Sequence, residues 1–276
     1  QEGKRLLDSG VPITNEYLKK NYASFAAFVG NGTQLSSASS PTQEDVKTPE
    51  EQMDALQQTY GDNLLIYTSK GPQLVRAEGT HFFSLNMAQL RIQQIRRGQT
   101  DHFLEAIGTA EAITLLDCTC GFGADTITAA FALPSGSRID ALEISPLLEA
   151  ITQWGIRHFV HEEEDVTQAL RRIHLTRGDF RTYLHDASAS PYDVLYFDPM
   201  FQRPVKESCQ FQPVRPIMDH DALSIDDVRL DLKKARRRVV IKDRNLQWLA
   251  VAFPQMKRYG GRYSRVAYGV LNGEAT

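Results

Sequence analysis

An acidic residue and two glycines, Asp117, Gly121 and Gly123, stand between an apolar run and the start of a helix pattern. Glycine at both positions lets the backbone turn sharply and approach a ligand with no Cβ in the way. The helix behind the turn presents unpaired N–H groups to that ligand. These residue types and their spacing predict that a nucleotide-like cofactor lies across the turn.

Two classes of cofactor fit a turn of this kind. A dinucleotide-binding turn has a third glycine three positions after the second, and Thr126 stands there instead. An acid followed by the two glycines resembles the first motif of class I S-adenosylmethionine (SAM)-dependent methyltransferases, whose cofactor carries an ammonium group that a carboxylate stabilises. This resemblance implies that the methionine end of SAM lies near Asp117, Gly121 and Gly123. It also adds Thr119 and Asp125 to the cofactor site.

A second predicted strand, Ser137 to Glu143, also ends in an acid. Ser145 follows as a helix N-cap, with Pro146 at the first helical position. In such folds an acid at this point holds the ribose hydroxyls of the adenosine, and the adjacent Ile144 joins the predicted cofactor contacts. The alternative is that Glu143 is only a charge favoured by the helix dipole.

A third predicted strand, beginning at Ile173, ends in Gly178-Asp179-Phe180. It resembles the adenine-contacting motif of the same methyltransferases. The resemblance implies that Asp179 lies near the exocyclic amine of the adenine and Phe180 near its ring.

A fourth strand, Tyr192 to Phe197, is followed by Asp198-Pro199-Met200-Phe201. This pattern resembles the (Asn/Asp)-Pro-Pro-(Tyr/Phe) motif of methyltransferases that act on amino groups attached to planar systems. There the Asp198 carboxylate and the Pro199 carbonyl would accept the hydrogens of the amine and orient its lone pair, and Phe201 would stack on the base. Asp-Pro is also a common way to end a strand and start a loop.

With methionine as its third residue, this motif is similar to that of the RsmJ family, which comprises bacterial small-subunit ribosomal RNA guanine-N2 methyltransferases. Arg236 to Lys242 and Asn86 to Gly108 extend the resemblance. A less characterised group of RsmJ-like proteins from Gram-positive bacteria is closer still, with Leu-Asp-Cys-Thr, Tyr-Phe-Asp-Pro-Met-Phe and Val-Val-x-Lys-Asp. The resemblance covers roughly residues 60 to 270 and departs from RsmJ at Cys120 and Phe122.

The resemblance implies a SAM-dependent N-methyltransferase that acts on an exocyclic amine of a guanine in small-subunit ribosomal RNA. Catalytic residues would be Asp198, Pro199 and Phe201. Phosphate contacts are expected at Arg91, Arg96, Arg97 and Lys242. Alternatives are a methyltransferase for a small molecule or a protein amide, and a non-catalytic nucleotide- or RNA-binding protein; Thr126 argues against a nicotinamide oxidoreductase.

Composition fits an enzyme of the cytoplasm. The 276 residues are 42% hydrophobic with a net charge of −3, enough for a full core but without general attraction to nucleic acid. The sequence shows no membrane-spanning run and no signal-peptide pattern. Its three cysteines do not form a disulfide framework, and we expect no metal site.

Alternating strands and helices predict an α/β fold of the Rossmann-like class I methyltransferase type. Strands are expected near 113–117, 138–142, 173–176, 192–197 and 238–242, with an antiparallel last strand near 263–271. Residues 81–276 would form this methyltransferase domain. Residues 1–80 would form a small α/β region with a hairpin at 63–76 and a mobile loop near 30–47.

Overall fold

The computed structural model describes residues 13–14, 27–29, 64–68, 71–76, 79–186, 191–199, 223–260 and 265–274. The described residues up to Phe83 belong to one compact unit and those from Ser84 onward to a second. The loop predicted near 30–47 and Phe201 lie outside the described residues. Within the described ranges, no helix is long and apolar enough to cross a membrane.

The first unit contains an antiparallel five-stranded sheet in the order β1-β2-β3-β4-β5. The predicted hairpin is confirmed, because Thr68 pairs with Gly71 at the turn between β3 and β4. The short edge strand β5 was not predicted from the sequence. The strands are β1 (Ile13–Thr14), β2 (Ala27–Val29), β3 (Leu64–Thr68), β4 (Gly71–Arg76) and β5 (Gly79–Phe82).

The second unit contains a seven-stranded sheet in the order β11-β12-β10-β9-β6-β7-β8. Strands β10, β9, β6, β7 and β8 are parallel, and β12 runs antiparallel to β10, as the sequence predicts. The short antiparallel edge strand β11 was not predicted. The strands are β6 (Thr114–Asp117), β7 (Arg138–Glu143), β8 (Ile173–Arg177), β9 (Tyr192–Phe197), β10 (Ala235–Asp243), β11 (Lys257–Tyr259) and β12 (Ala267–Asn272).

Eight described helices accompany this sheet: α1 (Asn86–Arg96), α2 (His102–Ile107), α3 (Ala124–Ala132), α4 (Pro146–His158), α5 (Glu164–Arg171), α6 (Phe180–His185), α7 (Ile225–Leu232) and α8 (Gln247–Ala252). The predicted N-cap of α4 is confirmed, because the Ser145 side chain accepts a hydrogen bond from the Leu148 N–H and Pro146 occupies the first helical position. Gly98 and Gly108 follow α1 and α2 with positive φ, as expected for residues that end helices.

The sheet is buried on both faces at its centre. Leu115 and Leu116 of β6, Val194 to Phe197 of β9 and Val239 to Ile241 of β10 are fully buried, which explains their continuous apolar runs. From β6 the chain proceeds outward to β7 and β8, and then returns to place β9 on the other side of β6. Such a reversal opens a crevice at the carboxyl ends of β6 and β9, where α/β sheets bind ligands.

Candidate active site

A cleft lies at the carboxyl ends of β6 to β9, and its empty space is about 620 Å³ with the open solvent at its mouth included. The residues that line it come from four strand ends and the segments behind them. They are Cys118, Thr119, Gly121, Glu143, Ile144, Leu148, Gly178, Asp179, Phe180, Phe197, Asp198, Pro199 and Leu223.

The turn after β6 is shaped by its two glycines. Gly121 and Gly123 have φ of +54° and +76°, in the left-handed region that disfavours other residues. A Cβ added at Gly121 would meet nothing nearer than the Thr119 carbonyl oxygen at 4.0 Å, so it would extend into open space. The missing side chain therefore leaves the Gly121 backbone accessible from the cleft that it lines.

Asp117 holds this turn from within. Its Oδ1 accepts a hydrogen bond from the Thr119 N–H at 3.0 Å, and its Oδ2 accepts one from the Thr126 hydroxyl. Asp117 is buried and does not line the cleft. Burial raises the pKa of Asp117 to about 7, against the lowering effect of both hydrogen bonds. Asp117 thus holds the start of the turn through the Thr119 N–H and joins it to α3 through Thr126.

Glu143 holds the same turn from the neighbouring strand. Its carboxylate accepts hydrogen bonds from the Gly121 N–H at 2.7 Å and from the Ser145 N–H at 2.8 Å. The Thr152 hydroxyl on α4 donates to the Gly121 carbonyl at 2.9 Å. An acid at the end of β7 is therefore built into the cleft wall with both oxygens oriented by backbone donors.

The far wall of the cleft carries Asp179 and Phe180. The Asp179 side chain caps α6 by accepting a hydrogen bond from the Arg181 N–H at 2.9 Å. The ring of Phe180 packs edge-on against Phe197, with ring centroids 5.0 Å apart, and the Arg181 guanidinium lies 4.5 Å from the Phe180 centroid. This wall offers a carboxylate beside an aromatic surface.

Asp198 follows β9 at the floor of the cleft. Its N–H donates to the Thr119 hydroxyl at 2.7 Å, which joins the two strand ends, and its Oδ2 accepts from Lys242 Nζ at 2.7 Å. Burial raises the pKa of Asp198 to about 6; Lys242 acts in the opposite direction and Asp125 adds repulsion. Within the described part of the chain, no hydrogen bond to Oδ1 of Asp198 is seen.

A network of alternating charges lies behind Asp198. Lys242 Nζ is also 2.9 Å from Oδ2 of Asp125, which accepts from the Tyr196 hydroxyl at 2.8 Å as well. Arg91 donates to Asp125 and, at 2.7 and 3.0 Å, to Asp101. Burial alone would raise the pKa of Asp125, but Lys242 and Arg91 hold it well below its usual range.

The cleft brings together many of the residues that the sequence singled out. They are Thr119, Gly121, Glu143, Ile144, Asp179, Phe180, Asp198 and Pro199. Asp117, Gly123 and Asp125 do not line it, and the carboxylates of Asp117 and Asp125 have partners inside the protein. Leu148 and Leu223 line the cleft but carry no chemical signal in the sequence, since leucine is an ordinary residue at a buried position.

The residues expected to contact phosphates divide into two groups. Arg91 and Lys242 have side chains only 15% and 18% exposed, and carboxylates already neutralise both. Both side chains therefore already have partners inside the protein, and phosphate contacts at Arg91 and Lys242 stay a prediction. Arg96 and Arg97 are exposed, although Arg96 pairs with the acidic residues Glu163 and Asp165. Phosphate contacts at Arg96 and Arg97 stay a prediction.

Comparison with known proteins adds to this geometry. Residues 43–265 match the family described as "Putative SAM-dependent methyltransferase". The chain is 30% identical over 211 residues to the uncharacterised protein YpiP of Bacillus subtilis (strain 168), which covers 75% of this chain and 77% of that protein. It is 28% identical over 178 residues to ribosomal RNA small subunit methyltransferase J of Dechloromonas aromatica (strain RCB), covering 62% of this chain and 70% of that protein. A solved SAM-dependent methyltransferase from Neisseria gonorrhoeae has the same fold, with a TM-score of 0.51, 19% identity and coverage of 78% and 81%.

Proposed function

Since the chain belongs to the SAM-dependent methyltransferase family, as a class I enzyme related to RsmJ, we propose that it methylates an exocyclic amine of a guanine in small-subunit ribosomal RNA. The observation that carries the proposal is the position of Asp198. This carboxylate lies in the same cleft as Gly121, Glu143 and Asp179, the residues predicted to hold the cofactor. The name of the relative from Dechloromonas aromatica supports ribosomal RNA as the substrate.

The cleft fits SAM by the chemistry of its walls. Gly121 leaves room for a ligand against the backbone, and Glu143 presents an oriented carboxylate suited to ribose hydroxyls. Asp179 and Phe180 offer an acceptor and an aromatic ring for the adenine. We propose that these residues hold the nucleoside of SAM, with its methionine end toward the Thr119–Gly121 turn.

Bound SAM supplies an electrophilic methyl group: the amine nitrogen forms the N–C bond, the electrons of the broken C–S bond stay on sulfur, and the nitrogen loses a proton to solvent. The protein orients the amine. Asp198 Oδ1 accepts one N–H and the Pro199 carbonyl accepts the other, so that the nitrogen lone pair points away from both. The Thr119 hydroxyl fixes the Asp198 backbone, which keeps this acceptor pair beside the cofactor turn. Phe201 would stack on the base.

Transfer of radiolabelled methyl from SAM tests this function. Substrates are ribosomal RNA and small subunits from a strain that lacks the enzyme, the protein fraction of that strain, and its small-molecule extract. We expect label in RNA, released by nuclease digestion as N2-methylguanosine and identified by mass spectrometry. Asp198→Ala, which removes the acceptor oxygen, should strongly reduce the transfer, whereas Asp226→Ala, at a side chain that is 85% exposed on α7, should not.

Other distributions of the label would overturn parts of the proposal. Label in protein or in the small-molecule extract would assign the cleft to an amide or a metabolite amine, for which an Asp-Pro acceptor pair is also suited. Label on another base of the RNA would keep the RNA substrate and refute guanine.

A further inference from the structure

Lys242 lies beside Asp198 because of the register of two parallel strands. Ile241 of β10 pairs with Phe197 of β9. The next residue along each chain segment, Lys242 and Asp198, therefore lies beside the other. Lys242 Nζ donates to Oδ2 of Asp198 at 2.7 Å. The contact therefore follows from the central pairing of the sheet, and it does not depend on a loop.

The position of Lys242 is fixed from its other side by Asp125. Nζ donates to Asp125 Oδ2 at 2.9 Å, and Asp125 is itself held by Arg91 and by the Tyr196 hydroxyl. Asp125 is buried, and the Lys242 side chain is 18% exposed. A lysine between two carboxylates has little net charge to offer a phosphate, and its two hydrogen bonds fix the position of its ammonium group.

We infer that Lys242 is a positioning residue for methyl transfer: it keeps Asp198 ionised and occupies Oδ2, which leaves Oδ1 as the oxygen that accepts the target amine. This role rests on the proposed function for its catalytic consequence. The ion pair itself is independent of the substrate. A protonated Asp198 would present a hydroxyl donor to the amine and could not accept its hydrogen in the same way.

Several charged or titratable groups face Asp198 from the elements around it. Lys242 of β10 and Arg91 of α1 favour its ionised form, and Asp125 of α3 disfavours it. Further titratable neighbours of this network include Asp101, Asp117, Tyr196 and Tyr268. Lys242 and Asp125 therefore act on Asp198 in opposite directions, which gives two variants with opposite expected effects.

Carboxylate titration by NMR in protein labelled at the aspartate side-chain carbons measures the pKa of Asp198 directly, with Asp198→Asn identifying its signal. Lys242→Met should raise that pKa by about 1–3 pH units, as expected on loss of an adjacent cation. Asp125→Asn should lower it. Lys233→Met, at an exposed lysine after α7, should leave it unchanged. An Asp198 pKa that does not move in Lys242→Met, or that rises in Asp125→Asn, overturns the inference without reference to any substrate.

Single-turnover methyl transfer then separates positioning from RNA binding. With saturating RNA and SAM, Lys242→Met should slow transfer about tenfold at pH 7 if the pKa rises by two units, and the rate should recover at higher pH. Lys242→Arg should restore part of the rate, because it keeps the charge. If Lys242→Met instead weakens RNA binding, lowers its salt dependence and leaves the saturated rate and its pH profile unchanged, Lys242 is a phosphate contact. Absence of transfer in the unmodified enzyme would refute the proposed substrate and leave the NMR result standing.

Discussion

At the scale of single residues, the N–H and one carboxylate oxygen of Asp198 already have hydrogen-bond partners within the protein. Its N–H is engaged by Thr119 and its Oδ2 by Lys242. Only Oδ1 remains for a substrate among the contacts seen in the described part of the chain. Asp198 is thus tied through its backbone to the turn after β6 and through its carboxylate to Lys242 of the central sheet, which restricts its position.

Replacing Asp198 by alanine should lower turnover far more than cofactor affinity. An interaction made mainly in the transition state is lost, and such losses are on the order of 100-fold or more. The dissociation constant of S-adenosylhomocysteine should stay within a few-fold, because Gly121, Glu143 and Asp179 are untouched. Single-turnover rates and calorimetric titration measure the two quantities. Wild-type rates in Asp198→Ala would mean that the carboxylate is structural and that the reacting amine lies elsewhere.

Asp117 gives a pH-dependent prediction. Its pKa in the free protein is about 7, so the carboxyl is largely protonated below that pH and ionised above it. If the ammonium of SAM lies near this residue, it binds the ionised form better. Affinity should then rise as the pH increases from about 5 to 7, with a proton released on binding below pH 7. Asp198 titrates in a similar range, and the variant Asp117→Asn separates the two.

The measurement is calorimetric titration of SAM in pairs of buffers with different ionisation enthalpies, which counts the protons released. Asp117→Asn should remove most of the proton release and flatten the pH profile, and Asp198→Asn should not. Proton release that is unchanged in Asp117→Asn would restrict this acid to its contacts with Thr119 and Thr126.

At the scale of elements, Thr126 stands where the three-glycine pattern would have its third glycine. It lies on α3, is fully buried, and donates its hydroxyl to Asp117 at the end of β6. A glycine there would allow closer packing of helix and strand, but it would leave Asp117 Oδ2 without this donor. In the sequence, Thr126 departs from the three-glycine pattern. In the structure, its hydrogen bond to Asp117 joins α3 to the end of β6.

Thr126→Val should therefore destabilise the second unit by about 1–3 kcal/mol, the range for leaving a buried acceptor without its partner. Thr128→Val is a matched control. Thr128 is equally buried on the same helix, but its hydroxyl donates to the Ala124 carbonyl, an interaction that contributes little to helix stability. Urea unfolding measures both free energies. Equal losses in the two variants would show that the Thr126–Asp117 bond contributes nothing beyond the packing of a threonine.

Strands and strand-end acids could be predicted because each is a local pattern. Buried parallel strands are rich in apolar residues. Glu143 ends β7, Asp179 comes two residues after β8, and Asp198 directly follows the apolar end of β9. The charge network could not be predicted in the same way. Arg91 and Asp125 are 34 positions apart and Lys242 and Asp125 are 117 apart, so only the folded sheet shows that they pair. The short edge strands β5 and β11 escaped prediction because each has only a few residues and little apolar pattern.

At the scale of the whole molecule, the net charge of −3 provides no general attraction to RNA. Binding to RNA would have to depend on local positive surface. Arg91 and Lys242 already pair with carboxylates. Arg96 would have to give up its contacts with Glu163 and Asp165 in order to bind a phosphate. Arg97, exposed at the end of α1, is then the simplest test of the predicted RNA path.

Arg97→Glu should weaken RNA binding and reduce the slope of log affinity against log salt by about one, the change expected for one lost phosphate contact. Arg157→Glu is a control of equal charge change at another exposed arginine, which no motif assigns to the RNA path. Because the cleft is unaltered, the affinity for S-adenosylhomocysteine should be the same in both variants. Filter binding of ribosomal RNA over a series of salt concentrations gives the slopes. Equal slopes for the two variants would mean that the RNA does not pass along the end of α1, and that the positive surface for its backbone lies on another part of the protein.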